Sequence, residues 1–263
     1  MTDLRGQVVV VTGGSGGLGR AIGMASARRG ATVVFLARRV NALRSARAEA
    51  SALAGTPAYA YQLDVSDPVQ IDAVWAQLLA DVGGHVDVLV NAAGFGQFLP
   101  ALKTDAAITN RMFRVNVLGL IYMTRLAGAQ MMRQGAGHII NIGSMAGKIA
   151  TPKSAVYAAT KAAVIAYSNA LRLELRHTGV NVTTVNPGPV ATDFFTHAHA
   201  QDYADAIAAF TLNADKLADR IVRAFHRPVR EVNAPAIMQL GAVLYPLVPR
   251  MGDWLTATVF NRK

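Results

Sequence analysis

Apolar residues fall along this chain in short runs, separated by longer stretches in which they recur every three or four positions. The runs at 8–11, 32–36, 58–63, 86–90, 138–142 and 181–185 predict β-strands. The first, second, fourth and sixth are almost unbroken, as in strands covered on both faces. Helical spacing at 17–29, 41–54, 68–82, 104–134 and 155–178 fills the gaps. Strands alternating with helices predict an α/β fold with a doubly wound parallel sheet and right-handed crossovers. After Pro189 the alternation decays into helical patterns at 202–211 and 214–226, a short extended piece at 229–232 and an apolar segment at 232–249. Ligands of open α/β sheets bind beyond the carboxyl ends of the strands, so these late elements are expected to form a helical C-terminal cover over a substrate. No repeat or linker interrupts the series. A single domain over 1–263 is expected, with 1–195 as the core and 196–263 as the cover.

Composition narrows the chemistry. The 263 residues are 52% hydrophobic and 16% charged, which excludes disorder as the main state. There is no cysteine, so disulfides and thiolate chemistry are excluded, and the six histidines are scattered. His197 and His199 stand two apart and read as solvated loop residues; no metal site is expected. The net charge is +10, and residues 1–50 carry eight arginines against Asp3 and Glu49. Without an arginine-rich tail or an interleaved aromatic platform, a dinucleotide phosphate is a more economical partner than nucleic acid. A strand and its loop begin almost at once, so no signal peptide is read, and a cytoplasmic protein is expected. Residues 232–249 are long enough to span a bilayer but hold Asn233, Gln239 and three prolines, so they read as a poor membrane helix.

The loop after the first strand reads Thr12-Gly13-Gly14-Ser15-Gly16-Gly17-Leu18-Gly19. Glycines let backbone approach a pyrophosphate, while the following helix offers free N–H groups and a positive dipole end. Gly14, Gly16 and Gly19 also fit G-x-G-x-x-G, weak alone but stronger between a strand and a helix. A merely tight turn is the lesser reading for so glycine-dense a loop. A dinucleotide fold of this kind, the Rossmann fold, places an acid at the end of the second strand to hold the ribose hydroxyl of NAD. Here the strand ends Ala37-Arg38-Arg39. Arginines suit a 2′-phosphate, and as mere solvated residues they would sit badly at a helix start, so NADP(H) is expected over NAD.

From this point the motifs resemble, in order, those of the short-chain dehydrogenase/reductase family. Thr12-Gly13-x-x-x-Gly17-x-Gly19 is similar to its cofactor loop, Asp64-Val65 to its adenine-contacting pair, and Asn91-Ala92-Ala93-Gly94 to the motif after its fourth strand. Asn116 matches a helix asparagine, Ser144 follows the fifth strand, and Tyr157-x-x-x-Lys161 comes thirteen residues later. Residues Asn186-Pro187-Gly188-Pro189-Val190-Ala191-Thr192 resemble the segment around the nicotinamide carboxamide. The resemblance spans about residues 5–195. It implies a catalytic set of Asn116, Ser144, Tyr157 and Lys161. It also implies cofactor contacts from Gly13, Ser15, Gly16, Gly17, Leu18, Gly19, Arg38, Arg39, Asp64, Val65, Asn91, Ala92, Gly94, Tyr157, Lys161, Pro187, Gly188, Val190 and Thr192.

The residues make chemical sense by themselves. Carbonyl reduction needs a hydride donor and a proton donor at the developing alkoxide. Tyr157 fits the proton donor, and Lys161, one turn on along the same helix face, is expected to draw the phenol's pKa down. Ser144 would hold the substrate oxygen. By resemblance, Asn116 supports a water linking Lys161 to solvent. Each has a plain alternative: surface packing for the Tyr/Lys pair, turn formation for Ser144, backbone satisfaction for Asn116. Met145 and Phe95 are candidate pocket residues. Many relatives end on a strand running into a Gly-Gly pair that supports a tetramer. This chain has Val229-Arg230-Glu231-Val232-Asn233-Ala234-Pro235 instead, which argues against a tetramer; the resemblance implies a homodimer through the long helices near 104–134 and 157–178.

Three functions remain open: an NADP-dependent carbonyl reductase or alcohol dehydrogenase acting on a small molecule, a non-catalytic NADP-binding regulator, and a membrane-surface enzyme docking through its apolar tail. The tail, with Ile237, Leu240, Leu244 and Val248 on one helix face and Pro246 bending or ending that helix, is expected to wall the substrate rather than anchor the chain.

Overall fold

The computed structural model describes residues 3–194, 198 and 211–259. The expected helix at 202–211 lies outside them save for its last residue, and His197 and His199 lie outside them altogether. Seven parallel strands form one sheet in the order β3-β2-β1-β4-β5-β6-β7: β1 Val8–Thr12, β2 Thr32–Ala37, β3 Tyr59–Gln62, β4 Val88–Asn91, β5 Gly137–Ile142, β6 Val180–Pro187 and β7 Glu231–Ala234. The valine run of β1 shows why the strands are unbroken. Val9 and Val11 face one layer, with α1 (Gly17–Ala27) and α2 (Val40–Ala54), through Phe35, Ile22 and Leu43. Val8 and Val10 face the other, with α3 (Pro68–Asp81) and α5 (Leu120–Gln134), through Leu89, Trp75 and Met123. A strand with both faces in a core has no polar position to spare.

Local signals set the helix ends. Asp67 accepts hydrogen bonds from the Val69 and Gln70 N–H groups ahead of Pro68, starting α3, and Gly55 ends α2 in the left-handed conformation that glycine adopts without penalty. The helix expected at 104–134 is interrupted. After α4 (Ala106–Phe113), residues Arg114–Gly119 form a π-helical turn before α5 begins. No residue here breaks helical periodicity, so the pattern could not reveal a local widening of the hydrogen-bond ladder.

The seventh strand lies two residues later than the extended piece expected at 229–232, and it pairs parallel with β6 through Thr184–Glu231 to Pro187–Ala234. Ahead of it, α6 (Ala155–Glu174) and α7 (Ala214–Val222) flank the sheet. Beyond it the apolar tail is two helices, α8 (Ala236–Leu244) and α9 (Pro249–Val259), rather than one bent helix. Pro246 and Pro249 fall at the break.

Candidate active site

Strand order reverses between β1 and β4, and the carboxyl ends of the strands open there into a cavity of about 1030 Å³. Ligand pockets run to about 300–1,000 Å³, so this one stands at the roomy end of that range. It runs from the glycine loop to the α8–α9 hairpin.

Gly13, Ser15, Gly16, Gly17, Leu18 and Gly19 all line the cavity. Gly13 has φ +69°, and a Cβ on it would stand 2.9 Å from the Ala92 carbonyl, a backbone that cannot yield. A Cβ on Gly19 would meet the Gly13 oxygen at 2.6 Å. The loop therefore packs backbone against backbone at the mouth of α1, where a helix N-terminus offers free N–H groups. Gly14 does something else: its missing Cβ makes room for Phe35, and it does not reach the cavity.

Arg38 and Arg39 leave the end of β2 exposed on the cavity rim. Arg39 bends over the loop, its Nε 3.3 Å from Ser15 Oγ and its terminal nitrogen 3.3 Å from Ser15 O. Asp64, Val65, Ala92 and Gly94 line the cavity from the ends of β3 and β4. Partial burial pushes the Asp64 carboxyl up, but hydrogen bonds from Ser66 and the charges of Arg38 and Arg111 outweigh it and hold the group below its usual range. Asn91 does not line the cavity: its amide donates to Thr124 and Asn141 at 2.9 Å inside the sheet. It acts on the cavity only by steadying the end of β4, because its side chain falls on the buried side of the strand.

Ser144, Tyr157 and Lys161 come together as expected. Ser144 Oγ accepts from the Ala146 N–H at 3.1 Å and points toward Tyr157, whose phenol is pushed up to about 12 by burial, with the Ser144 hydrogen bond opposing the rise. Lys161 is pushed down to about 8 by burial. Its Nζ donates to Ile142 O at 2.8 Å and lies 5.8 Å from the Tyr157 ring centre. The expected lowering of the phenol by Lys161 is thus not what this arrangement produces; loss of hydration outweighs a cation engaged elsewhere. Asn116 is buried in the π-helical turn, outside the cavity lining. Its Oδ1 accepts from the Phe95 N–H and its amide donates to Phe95 O and Thr160 Oγ1. It pins the loop after β4, and its Oδ1 and Lys161 Nζ stand 3.2 and 3.6 Å from where a Cβ on Gly94 would lie.

Pro187, Gly188, Val190 and Thr192 close the floor, with Thr192 beside Gly17. Gly188 donates to Ala234 O, and Asn186, Asn233, Glu231 and Lys148 form a chain that ties β6 and β7 to the loop after β5. Met145 and Phe95 line the cavity as anticipated. Residues the sequence reading missed are Phe98 and Phe194, whose rings stand 5.6 and 5.7 Å from that of Tyr157, and Arg111, stacked 5.3 Å over Phe95. No spacing singles these out, since all three come from irregular or helical segments distant in sequence.

The model of a family described as short chain dehydrogenase matches residues 7–202. A ketoacyl reductase, HetN, from Nostoc sp. is 33% identical, with 100% of this chain and 94% of that protein covered. A serine dehydrogenase solved in complex with NADP+ superposes with a TM-score of 0.80 at 31% identity, covering 88% of this chain and 96% of that one. A 3-ketoacyl-(acyl-carrier-protein) reductase from Brucella melitensis, solved with NADH, has a TM-score of 0.81 at 27% identity, with 88% and 98% covered.

Proposed function

This chain belongs to the short-chain dehydrogenase family and is an oxidoreductase that moves a hydride between a nicotinamide cofactor and a small molecule; from that premise we propose that it is an NADP(H)-dependent carbonyl reductase in which Tyr157 is the general acid. The observation that carries this reading is the fit of the cavity: a glycine loop in which a Cβ at Gly13 or Gly19 would strike backbone, with Arg38 and Arg39 on the rim where a 2′-phosphate would need charge. The serine dehydrogenase above was solved with NADP+ and the Brucella reductase with NADH, so the arginines, not the kinship, carry the cofactor choice.

When bound, the nicotinamide supplies the hydride. The chain's own residues do the rest. A phenol pushed to about 12 is protonated at neutral pH, which suits donation to a developing alkoxide in the reductive direction. Ser144 orients the carbonyl oxygen toward that phenol, and Lys161, charged below about pH 8, keeps a cation beside the site. Phe98, Phe194 and Tyr157 exclude water from the reacting end. We read residues 1–195 as the core and 196–263 as the cover of one domain. A homodimer through α4–α6 is proposed on the apolar side chains exposed there, Phe113, Leu118 and Leu173.

The test is consumption of NADPH, and separately NADH, against ketones, aldehydes, quinones and 3-oxoacyl thioesters, with both nucleotides titrated by fluorescence. NADPH is expected to bind at least tenfold tighter, from a charge-assisted pair worth about 1.5–3 kcal/mol. Equal affinities would remove the arginine argument, and no turnover with any carbonyl would remove the reductase.

A further inference from the structure

The far end of the cavity is where the molecule departs from an ordinary soluble surface. Among the described residues, sixteen large apolar side chains are exposed, and nine of them lie between Ile237 and Leu255, on α8, α9 and the turn joining them. Leu247 is 72% exposed, Trp254 68% and Met251 63%. Scattered exposed leucines are normal, but a contiguous cluster marks a surface that something covers. Residues 232–249 contain no charged side chain at all; Arg250 is exposed beside them, and the hydroxyl of Tyr245 donates to Asp253.

We infer that the α8–α9 hairpin docks on an anionic lipid surface, lying in the interface without crossing it, and that an uncharged lipophilic carbonyl enters the cavity from there. The entry half of this inference rests on the reductase reading; the docking half does not. Two observations choose lipid over a second copy of the chain. The first is charge: the chain carries +10, so an anionic bilayer attracts it. The second is access. Ile237, Leu244, Val248, Met251 and Leu255 are exposed and also line the cavity, so a protein seated on them would seal its mouth, whereas fluid acyl chains would feed it. The dimer proposed above uses another face. Among the described residues, the cavity wall toward the hairpin is apolar, with Phe98, Ile149, Phe194 and Met238. No described helix is long and apolar enough to cross a membrane, which agrees with docking in the interface plane. The hairpin lines the cavity and, on this inference, also meets lipid, which the reading of the tail as a substrate wall set aside.

The chain's two tryptophans provide the readout, because Trp75 is 6% exposed and Trp254 is 68% exposed. The full chain is mixed with phosphatidylcholine vesicles, with and without phosphatidylglycerol, and followed by flotation and by tryptophan emission. Phosphatidylglycerol should raise the partition constant at least about tenfold and shift the emission to the blue, an effect absent in Trp254→Phe. Leu240→Gln with Leu247→Gln, at exposed positions outside the cavity lining, should lower partition at least about tenfold while NADPH affinity stays at the parent value. The same pair should raise KM for a long-chain ketone held in vesicles and leave it unchanged for a short water-soluble one. Absence of flotation with either lipid would overturn the docking. So would a blue shift that follows protein concentration without vesicles and accompanies a larger assembly, which would make the face a contact between copies. A parent that floats but reduces no carbonyl would overturn the reductase and the entry route, leaving the docking in place.

Discussion

At the loop end of the cavity, residues Gly13–Gly19 present backbone N–H groups, and Arg38 and Arg39 present charge; at the hairpin end, α8 and α9 present almost nothing but carbon. The first end is built by removing side chains, since a Cβ at Gly13 or Gly19 would collide with backbone. The second is built by adding them, and many stay exposed. The two solved relatives above share a nicotinamide dinucleotide, with or without its 2′-phosphate, so the surface that holds it is tightly specified. A substrate is not, and an apolar wall can be remodelled without disturbing the sheet. Between the two stand Ser144, Tyr157 and Lys161, which is where the comparison can be broken most forcefully.

Tyr157→Phe carries the largest expected effect. It removes one hydroxyl from a buried ring that packs against Phe98 and Phe194, so fold and NADPH affinity should hold. Turnover should fall by about 10²–10⁴-fold, the usual contribution of positioned proton transfer. A variant retaining more than a tenth of the parent rate would show that neither end of the cavity delivers its ligand to this phenol. The pH profile sharpens the point. Burial lowers Lys161 to about 8, so its cation is present below that pH and lost above it. Reduction should decline as pH rises through about 8, and Lys161→Met, slower throughout, should lack that limb. A parent profile flat from 7 to 9.5 would place Lys161 outside the mechanism.

The arginines come next. Arg38→Ala with Arg39→Ala should cut the preference for NADPH over NADH by roughly 10- to 150-fold, leaving NADH affinity nearly unchanged. Because both side chains are exposed, the parent's preference should also shrink with added salt. A double variant that loses both nucleotides equally would mean that Arg39 acts by bracing Ser15, to which it hydrogen-bonds, rather than by holding phosphate.

The sequence made the loop end legible because its constraints are local. Gly13, Gly17 and Gly19 sit within one turn, the valines of β1 alternate between two cores, and Tyr157 and Lys161 share one helix face. What stayed hidden depends on distance or on backbone detail. Asn116 reads as a helix residue; only the π-helical turn aims it at the Phe95 loop. Asn91 reads as a cofactor neighbour, yet its amide turns into the sheet toward Thr124 and Asn141. Phe98 and Phe194 meet Tyr157 from 59 and 37 residues away, beyond the reach of any periodic pattern. For the tail, three- and four-residue spacing predicts one apolar helix face; Ile237, Leu244 and Val248 line the cavity, but Leu240 does not, Val248 lies past the end of α8, and periodicity cannot say whether such a face is covered.

The smallest expected effect tests the contrast between the two ends with a single methyl group. Gly13→Ala forces a left-handed residue, at φ +69°, to carry a Cβ 2.9 Å from the Ala92 carbonyl and from the Ala93 Cα. Handedness alone costs about 1–2 kcal/mol, and the backbone contact adds to it. The variant should therefore melt several degrees lower and bind NADPH more weakly, because the loop must shift to make room. Gly241→Ala places the same methyl in the interior of α8, where the nearest atom is Ile149 Cδ1 at 3.6 Å, an ordinary contact. Alanine in a helix interior is better than glycine by about 0.5–1 kcal/mol, because glycine gives up more backbone freedom on folding. Gly241→Ala should therefore raise the melting temperature by about 1–4 °C and leave NADPH affinity untouched. Scanning calorimetry on the two variants, with and without saturating NADPH, reads both signs. Destabilisation by Gly241→Ala equal to that by Gly13→Ala would mean that α8 is packed as tightly as the glycine loop, and that the hairpin belongs to the rigid end of the molecule.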